Sequence, residues 1–290
     1  MRHRIRILGG VLLATVITAL ASCTTTDAER LAGFPLSEGP LTGKFVWHDL
    51  ITDDVAVARR FYGGLFGWEF EATSGPNGGD YTLIRMDGRA VAGMVQLDDP
   101  AGIEYSRWLG YLSVADVDQA VKFTRARGGE AAVGPLELGN IGRAAAIIDP
   151  QGAVVGLIRS RHGDPDDTIR RGIGEIVWNE MVASDDLEAV DFYQRLAGLQ
   201  KQDDVRAGGT YRMMHSQGRK RAGIMQRPAD DVNPFWLTHF GVDDVRVAAA
   251  QAAELGGTVL LAPSDEVRNG LLALVTDPSG AILALHEWTQ

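Results

Sequence analysis

The chain is poor in cysteine, in positive charge and in long apolar segments. It has 290 residues and a single cysteine, which excludes an internal disulfide framework and any cysteine-rich zinc or iron–sulfur site. Lysine and arginine number 28 against 38 acidic residues, so the formal net charge is −10. Nucleic acid binding needs a basic surface, and this charge balance excludes a nucleic acid partner. What remains is a globular protein of about two domains that binds something small.

An apolar segment lies at the N-terminus. Arg2, Arg4 and Arg6 precede an apolar stretch over 7–20, which is shorter than the roughly 20 residues that a membrane-spanning helix needs. The stretch runs into Leu-Ala-Ser-Cys, which contains the one cysteine, Cys23. This layout is typical of a secretory signal peptide, and it resembles the lipobox of bacterial lipoproteins, in which the cysteine is lipidated.

We therefore predict a lipoprotein signal peptide over 1–22, lipidation of Cys23 and a tether over 23–42. The protein is then expected in the cell envelope, anchored to the membrane through Cys23 outside the cytoplasm. In a Gram-negative host it would face the periplasm from the outer membrane. An ordinary signal peptide with an incidental cysteine is the alternative.

The rest of the chain repeats itself once. Trp47-His48-Asp49-Leu50 and Trp178-Asn179-Glu180-Met181 stand 131 residues apart, and each leads to a Phe-Tyr pair. Further pairs follow in the same order: Gly93-Met94-Val95-Gln96 with Gly223-Ile224-Met225-Gln226, Trp108 with Trp236, Val114-Ala115-Asp116-Val117 with Val242-Asp243-Asp244-Val245, and Asp149-Pro150-Gln151-Gly152 with Asp277-Pro278-Ser279-Gly280. The repeat predicts two modules, over 43–161 and 173–290, joined by a linker over 162–172.

Each half has the pattern of two βαβββ units. A short strand is followed by a helix that begins at an aspartate, Asp53 or Asp54 in the first unit, and ends at glycine. Asp87-Gly88 then predicts a hairpin between strands over 81–86 and 90–97. The whole chain is therefore predicted to contain four such units.

This arrangement resembles the vicinal oxygen chelate superfamily of glyoxalase I, bleomycin-resistance proteins and extradiol dioxygenases. The resemblance is carried by Phe61-Tyr62-Gly63-Gly64-Leu65-Phe66-Gly67-Trp68, Val114-Ala115-Asp116-Val117-Asp118, Asp149-Pro150-Gln151-Gly152 and their counterparts in the second half. It covers about 44–160 and 175–289, and it implies an α+β fold of tandem modules, with curved mixed sheets and outer helices. It implies a concave binding face but no particular reaction, because one fold hosts unrelated chemistries.

Metal ligands of the superfamily are missing where the resemblance places them, on the first, fifth and eighth strands of a module. Those positions hold Trp47, Leu109 and Gly156 in the first half and Trp178, Leu237 and Ala284 in the second. None of these side chains ligates a divalent metal. We therefore predict a protein that works without a metal cofactor.

Strand alternation predicts which side chains share the concave face. Trp47, Asp49 and Tyr111 are expected there in the first module, and Trp178 and Glu180 in the second. Such an aromatic floor with few polar groups is typical of small-ligand sites, with the indoles stacking on the ligand and the carboxylates giving a polar contact or attracting a cationic group. The alternative is that these side chains only fill space.

A second pattern lies in the second half. Glu180, His239 and His286 each lie two residues beyond a missing ligand position, which keeps them on one face of the sheet. Two imidazoles and a carboxylate have the composition of a facial triad for a divalent metal. Against this, the order is Glu-His-His rather than His-His-Glu, and a register slip of one residue would separate the set.

Two further groups are expected to be structural. His48 is predicted to point toward the helix side of its strand, because it alternates with Trp47. The basic cluster Arg219-Lys220-Arg221 is predicted to be a solvated hairpin turn.

These observations leave three functions open. The first is a monomeric envelope lipoprotein that binds a small molecule without a metal and catalyses no reaction. The second is an envelope enzyme of glyoxalase or dioxygenase type that uses one divalent metal ion on the displaced ligands of the second module. The third is a partner-binding scaffold of the envelope.

Overall fold

A computed structural model describes residues 35–74, 80–97, 106–139, 141–206 and 209–288. The predicted signal peptide, Cys23 and most of the predicted tether lie outside the described residues. Within these ranges, no helix is long and apolar enough to cross a membrane.

Residues 45–160 form the first sheet and its two helices. Its eight strands lie in the order β2-β3-β4-β1-β5-β8-β7-β6, with β1 parallel to β4 and antiparallel to β5. The elements are β1 Phe45–Thr52, α1 Val55–Phe66, β2 Glu69–Ser74, β3 Asp80–Met86, β4 Arg89–Gln96, β5 Arg107–Ser113, α2 Val117–Ala126, β6 Glu130–Glu137, β7 Gly142–Ile148 and β8 Val154–Ser160.

Residues 176–287 repeat this arrangement. The second sheet has the order β10-β11-β12-β9-β13-β16-β15-β14. Its elements are β9 Ile176–Ala183, α3 Asp186–Ala197, β10 Gln200–Arg206, β11 Gly209–Ser216, β12 Arg219–Gln226, β13 Phe235–Val242, α4 Val245–Glu254, β14 Thr258–Leu261, a 3-10 turn Arg268–Gly270, β15 Leu272–Thr276 and β16 Ile282–Glu287. The α+β fold of four βαβββ units is therefore confirmed.

Aspartates begin all four of these helices. The Asp54, Asp116, Asp185 and Asp244 side chains each accept a hydrogen bond from a backbone N–H of the first helical turn. This contact satisfies a donor that has no partner inside the helix. Of the two caps considered for α1, Asp54 is the one observed.

The two modules are related by a pseudo-twofold arrangement. His48 and Asn179 occupy equivalent positions, and the His48 Nε2 lies 2.7 Å from the Asn179 Oδ1. Two equivalent residues can contact each other only next to the axis that relates them. His48 thus lies buried at the module boundary, on the side expected for it, and burial lowers its pKa to about 4.

Reciprocal contacts extend this symmetry away from the axis. The Tyr62 hydroxyl of α1 donates to Asp277 of the second module, and the Tyr193 hydroxyl of α3 donates to Asp149 of the first. Apolar packing crosses the boundary in the same way. One hydrophobic core contains side chains from the second unit of module one and the first unit of module two. A second hydrophobic core contains side chains from the other two units. The helices α1 and α4 pack together, as do α2 and α3.

The linker between the modules is fixed rather than loose. Buried Asp164 accepts hydrogen bonds from the Leu41 N–H and from Ser113, each at 2.6 Å, so the last part of the predicted tether is held against the linker. Asp167 binds both terminal nitrogens of Arg221, at 2.6 and 2.9 Å. The interpretation of Arg219-Lys220-Arg221 as solvated is therefore wrong for Arg221, which is buried by this bidentate ion pair.

Candidate functional site

Each sheet has one face covered by helices and one helix-free face, and the candidate site residues lie on the helix-free face. In the first module, the Trp47 indole N–H donates to the Asp49 Oδ1 at 2.9 Å. The Tyr81 hydroxyl donates to the same oxygen at 2.9 Å. Tyr111 stands opposite Trp47 in the pairing of β5 with β1, beside Asp49. We call these four residues the first acid cluster.

Asp49 is fully buried, and its hydrogen bonding is incomplete. Burial raises the pKa of its carboxyl to about 6, although the hydrogen bonds from Trp47, Tyr81 and Tyr111 act in the opposite direction. The Tyr111 hydroxyl interacts with the Asp49 carboxyl, but the geometry is poor, so that neither the Asp49 Oδ2 nor the Tyr111 hydroxyl makes a well-formed hydrogen bond among the described residues. A buried polar group left in this state costs about 1–3 kcal/mol.

A second acid cluster occupies the equivalent place in the second module, and it consists of Trp178, Glu180, Tyr211 and Arg268. The Trp178 indole N–H donates to the Tyr211 hydroxyl at 2.9 Å. The Arg268 guanidinium forms an ion pair with Glu180, and it lies 5.2 Å from the centroid of the Tyr211 ring. The expectation that Glu180 attracts an external cation is therefore corrected, because the chain supplies its own.

Glycines leave the space for both clusters. A Cβ on Gly93 would overlap the Tyr81 hydroxyl and Asp49, and a Cβ on Gly223 would overlap the Tyr211 hydroxyl. Neither glycine needs a left-handed backbone, so the requirement is close approach rather than conformation. The two glycines occupy equivalent positions of the repeat, and this close approach explains why both modules have a glycine inside a strand there.

His239 lies at the floor of the second cluster. It is completely buried, its Nε2 lies 3.9 Å from Glu180, and neither ring nitrogen has a hydrogen-bond partner among the described residues. Burial, together with the positive charge of Arg268, holds its pKa well below the usual range, so the ring is neutral. The His286 ring is 5.7 Å away between centroids, and its Nδ1 also lacks a partner there.

The side chains on these faces do not fit the metal of the superfamily. The six family ligand positions hold Trp, Leu, Gly and Ala, which offer no metal-ligating side chain. In the displaced set, the Glu180 carboxylate already binds a guanidinium, whose positive charge opposes a second cation. Across the ranges that the structure describes, no group of three His, Cys, Asp or Glu side chains is arranged to hold a metal ion. The hypothesis of a Glu180, His239 and His286 triad thus lacks the required geometry.

The structure brings the predicted site residues together within each module. Trp47, Asp49 and Tyr111 meet in the first, and Trp178 and Glu180 meet in the second. Sequence reasoning missed Tyr81, Tyr211 and Arg268. The two tyrosines are repeat partners 130 residues apart, and this match in the sequence could have identified them as candidate site residues. Arg268 carries no such signal, because the equivalent position in the first half of the sequence holds Asn140.

Solved structures share this fold. A Mn(II)-bound glyoxalase from Novosphingobium aromaticivorans superposes with a TM-score of 0.56 at 14% identity, covering 85% of this chain and 82% of that one. The 2,2',3-trihydroxybiphenyl 1,2-dioxygenase from Sphingomonas wittichii strain RW1 gives a TM-score of 0.57 at 14% identity, covering 86% of this chain and 91% of that one. At such identities the likeness shows the fold alone.

Relatives in sequence cover most of the chain. The putative glyoxylase CFP32 of Mycobacterium tuberculosis is 34% identical over 244 residues, which are 82% of this chain and 92% of the relative. The anthracycline biosynthesis protein DauV of Streptomyces sp. strain C5 is 33% identical over 259 residues, which are 84% of this chain and 93% of the relative. The family model of the Glyoxalase/Bleomycin resistance protein/Dioxygenase superfamily matches residues 44–157 and 172–285. The resemblance is thereby confirmed, and the chain belongs to this superfamily as a member with two modules in tandem.

Proposed function

We propose that this protein binds a small, partly aromatic molecule on the helix-free face of its sheets and does so without a metal cofactor. The observation that carries the proposal is the presence, in each module, of a half-buried tryptophan beside buried polar atoms that make no well-formed hydrogen bond among the described residues. These atoms are the Asp49 Oδ2, the Tyr111 hydroxyl and both ring nitrogens of His239.

Such atoms favour a ligand for an energetic reason. Each buried donor or acceptor without a partner destabilises the empty site by about 1–3 kcal/mol, and a ligand that supplies the missing hydrogen bond removes that cost. The neighbouring indoles of Trp47 and Trp178 offer flat apolar surfaces on which an aromatic ring can stack. Together these groups fit a ligand that combines a ring with hydroxyl or carbonyl oxygens.

Replacing Trp178 with alanine is expected to weaken binding of an aromatic ligand by about 0.5–2 kcal/mol, or about 2- to 30-fold, because the stacking surface is lost. The measurement is calorimetric titration with 4-hydroxybenzyl alcohol, an uncharged ring that carries two hydroxyls. Trp47→Ala is the matched variant in the first module, and circular dichroism of both variants controls for folding. Binding that is unchanged in both variants would contradict the proposal.

The alternative function is a metal-dependent enzyme, which the names of the relatives and of the structural neighbours suggest for those proteins. The donor set described above supports it poorly. Metal analysis of the purified protein decides between the two. Stoichiometric iron, manganese, zinc or nickel that disappears in His239→Ala or His286→Ala would replace our proposal with this enzyme.

We also propose that the protein is anchored in the cell envelope through a lipid on Cys23. The support is the Leu-Ala-Ser-Cys sequence behind a short apolar stretch and three arginines. Cys23→Ser is expected to release the protein from the membrane or to block its processing, since the lipid provides the anchor. Fractionation of cells into membrane and soluble parts measures this, with Ser22→Ala as control. A Cys23→Ser variant that is processed and stays on the membrane would refute the anchor.

A further inference from the structure

The second module carries a positive charge on its helix-free face at a place where the first module has a neutral residue in sequence. Arg268 lies in the connection between β14 and β15, and its repeat partner, at the 128-residue spacing of this part of the chain, is Asn140. The two modules have the same number of residues in this part of the sequence. Arg268 and Asn140 therefore differ in residue type, and no insertion separates their positions. The two faces are therefore expected to prefer ligands of different charge.

A tight backbone turn directs Arg268 onto the sheet. Arg268 and Asn269 have φ angles of 49° and 54°, in the left-handed region that residues other than glycine seldom adopt. The turn is held by the Ser264 carbonyl, which accepts hydrogen bonds from the Val267 and Gly270 N–H groups at 2.8 and 3.0 Å. From this turn, at the β14 edge, the side chain reaches Glu180 on β9 and Tyr211 on β11.

Arg268 has hydrogen-bonding capacity to spare. A guanidinium has five N–H donors, whereas among the described residues its polar partners are Glu180 and the Tyr211 hydroxyl. The side chain is 24% exposed, so its remaining donors are accessible to a ligand, while Glu180 is nearly completely buried beneath it. A fork of parallel N–H groups is the geometry that binds a carboxylate through two hydrogen bonds.

The surroundings of Arg268 suit the rest of such a ligand. The indole of Trp178, linked to Arg268 through Tyr211, is half-buried and can take an aromatic ring. The nearby His239 ring is completely buried and neutral, so it adds no charge to the site.

We propose that the second module selects an aromatic carboxylate, with the carboxylate on Arg268 and the ring on Trp178. This inference rests on the proposed binding function and adds the charge of the ligand to it. A cationic ligand is disfavoured because Glu180 is already neutralised by Arg268. The first module, in which buried Asp49 has no cation among its contacts in the described residues, does not share this preference.

The test uses three probes that differ in charge on one ring: 4-hydroxybenzoate, 4-hydroxybenzyl alcohol and 4-hydroxybenzylamine. Calorimetric titration of the full chain is expected to show the benzoate binding about tenfold to a hundredfold more tightly than the alcohol, because a bidentate charge-assisted hydrogen bond forms. Arg268→Gln is expected to abolish that preference for the benzoate over the alcohol. Arg246→Gln, which removes an exposed arginine close to the same turn, is the matched control and should keep the preference.

A double variant removes an ambiguity, because Arg268→Gln alone leaves Glu180 unpaired and able to repel the benzoate. The variant Glu180→Gln with Arg268→Gln removes both charges, and it too should bind benzoate and alcohol alike. If the native chain bound the benzoate and the alcohol equally tightly, and Trp178→Ala bound neither, the selection of a carboxylate would be overturned. The proposed binding function would stand. A preference for benzoate that survives in the double variant would also overturn it. Failure of all three probes to bind at millimolar concentration would count against both proposals.

Discussion

Replacing Asp149 with alanine is expected to lower the free energy of unfolding by about 3–5 kcal/mol, because one buried carboxylate joins the two modules. The Asp149 Oδ1 accepts from the Gln151 and Ala153 N–H groups at 2.8 and 2.9 Å, which fixes the turn between β7 and β8. Its Oδ2 accepts at 2.8 Å from the hydroxyl of Tyr193, a completely buried residue of the other module. Alanine leaves all three donors without a partner. Urea denaturation followed by circular dichroism measures the loss.

The pseudo-twofold arrangement supplies matched variants for this prediction. Asp277→Ala should cost a similar amount, since Asp277 accepts from the Ser279 and Ala281 N–H groups and from Tyr62 in the same pattern. Tyr193→Phe keeps the turn intact and removes only the contact across the boundary, so it should cost about 1–2 kcal/mol. If Asp149→Ala changed the stability by less than Tyr193→Phe, the carboxylate would not join the modules as described.

Replacing Asp49 with asparagine is expected to stabilise the protein above about pH 6 by up to about 3 kcal/mol. Burial raises the pKa of Asp49 from 3.8 to about 6. Its contribution to stability is therefore fully present below pH 3.8 and is lost as the pH rises through 6, where the folded state must hold a buried charge. Asparagine resembles the protonated carboxyl, and its NH₂ group can supply a donor to the Tyr111 hydroxyl.

The measurement is the difference in unfolding free energy between Asp49→Asn and the native chain, from about pH 4 to about pH 8. The difference is needed because His48 has a lowered pKa, so that its contribution changes with pH in the opposite direction. Asp118→Asn is a control that should show no slope over this range, since a hydrogen bond from Arg143 lowers the pKa of the exposed Asp118 from 3.8 and keeps that carboxyl ionised throughout. A difference for Asp49→Asn that stays constant over this range would contradict the burial of an ionisable Asp49.

Local patterns were enough to predict the four βαβββ units. Aspartates at helix starts, the Asp87-Gly88 turn and the repeated Asp-Pro-x-Gly turns marked these units, because capping and turn geometry depend on adjacent residues. The edge strands β2 and β6 were not delimited from the sequence. Such strands pair on one side only, so their alternation is weak, and β6 also contains Gly134-Pro135.

The sequence predicted three of the four residues in the first acid cluster and two of the four in the second. Trp47 and Asp49, like Trp178 and Glu180, stand two residues apart on one strand, so strand alternation by itself placed each pair on one face. Tyr81 and Tyr211 reach their clusters only because β3 and β11 lie two strands away from the central strand in the folded sheet.

The sequence by itself determined the repeat, the four βαβββ units and the absence of metal ligands at the family positions, because each depends on residue type at a fixed spacing. Only the tertiary structure decided that Arg268 neutralises Glu180, that His48 meets Asn179 at the module boundary, and that His239 is buried with no hydrogen-bond partner in the part of the chain that the structure describes. The two contacts join residues 88 and 131 positions apart, and the burial of His239 depends on what the folded sheet excludes from water. Such distances and burial follow from how strands and loops assemble, and no local pattern encodes them.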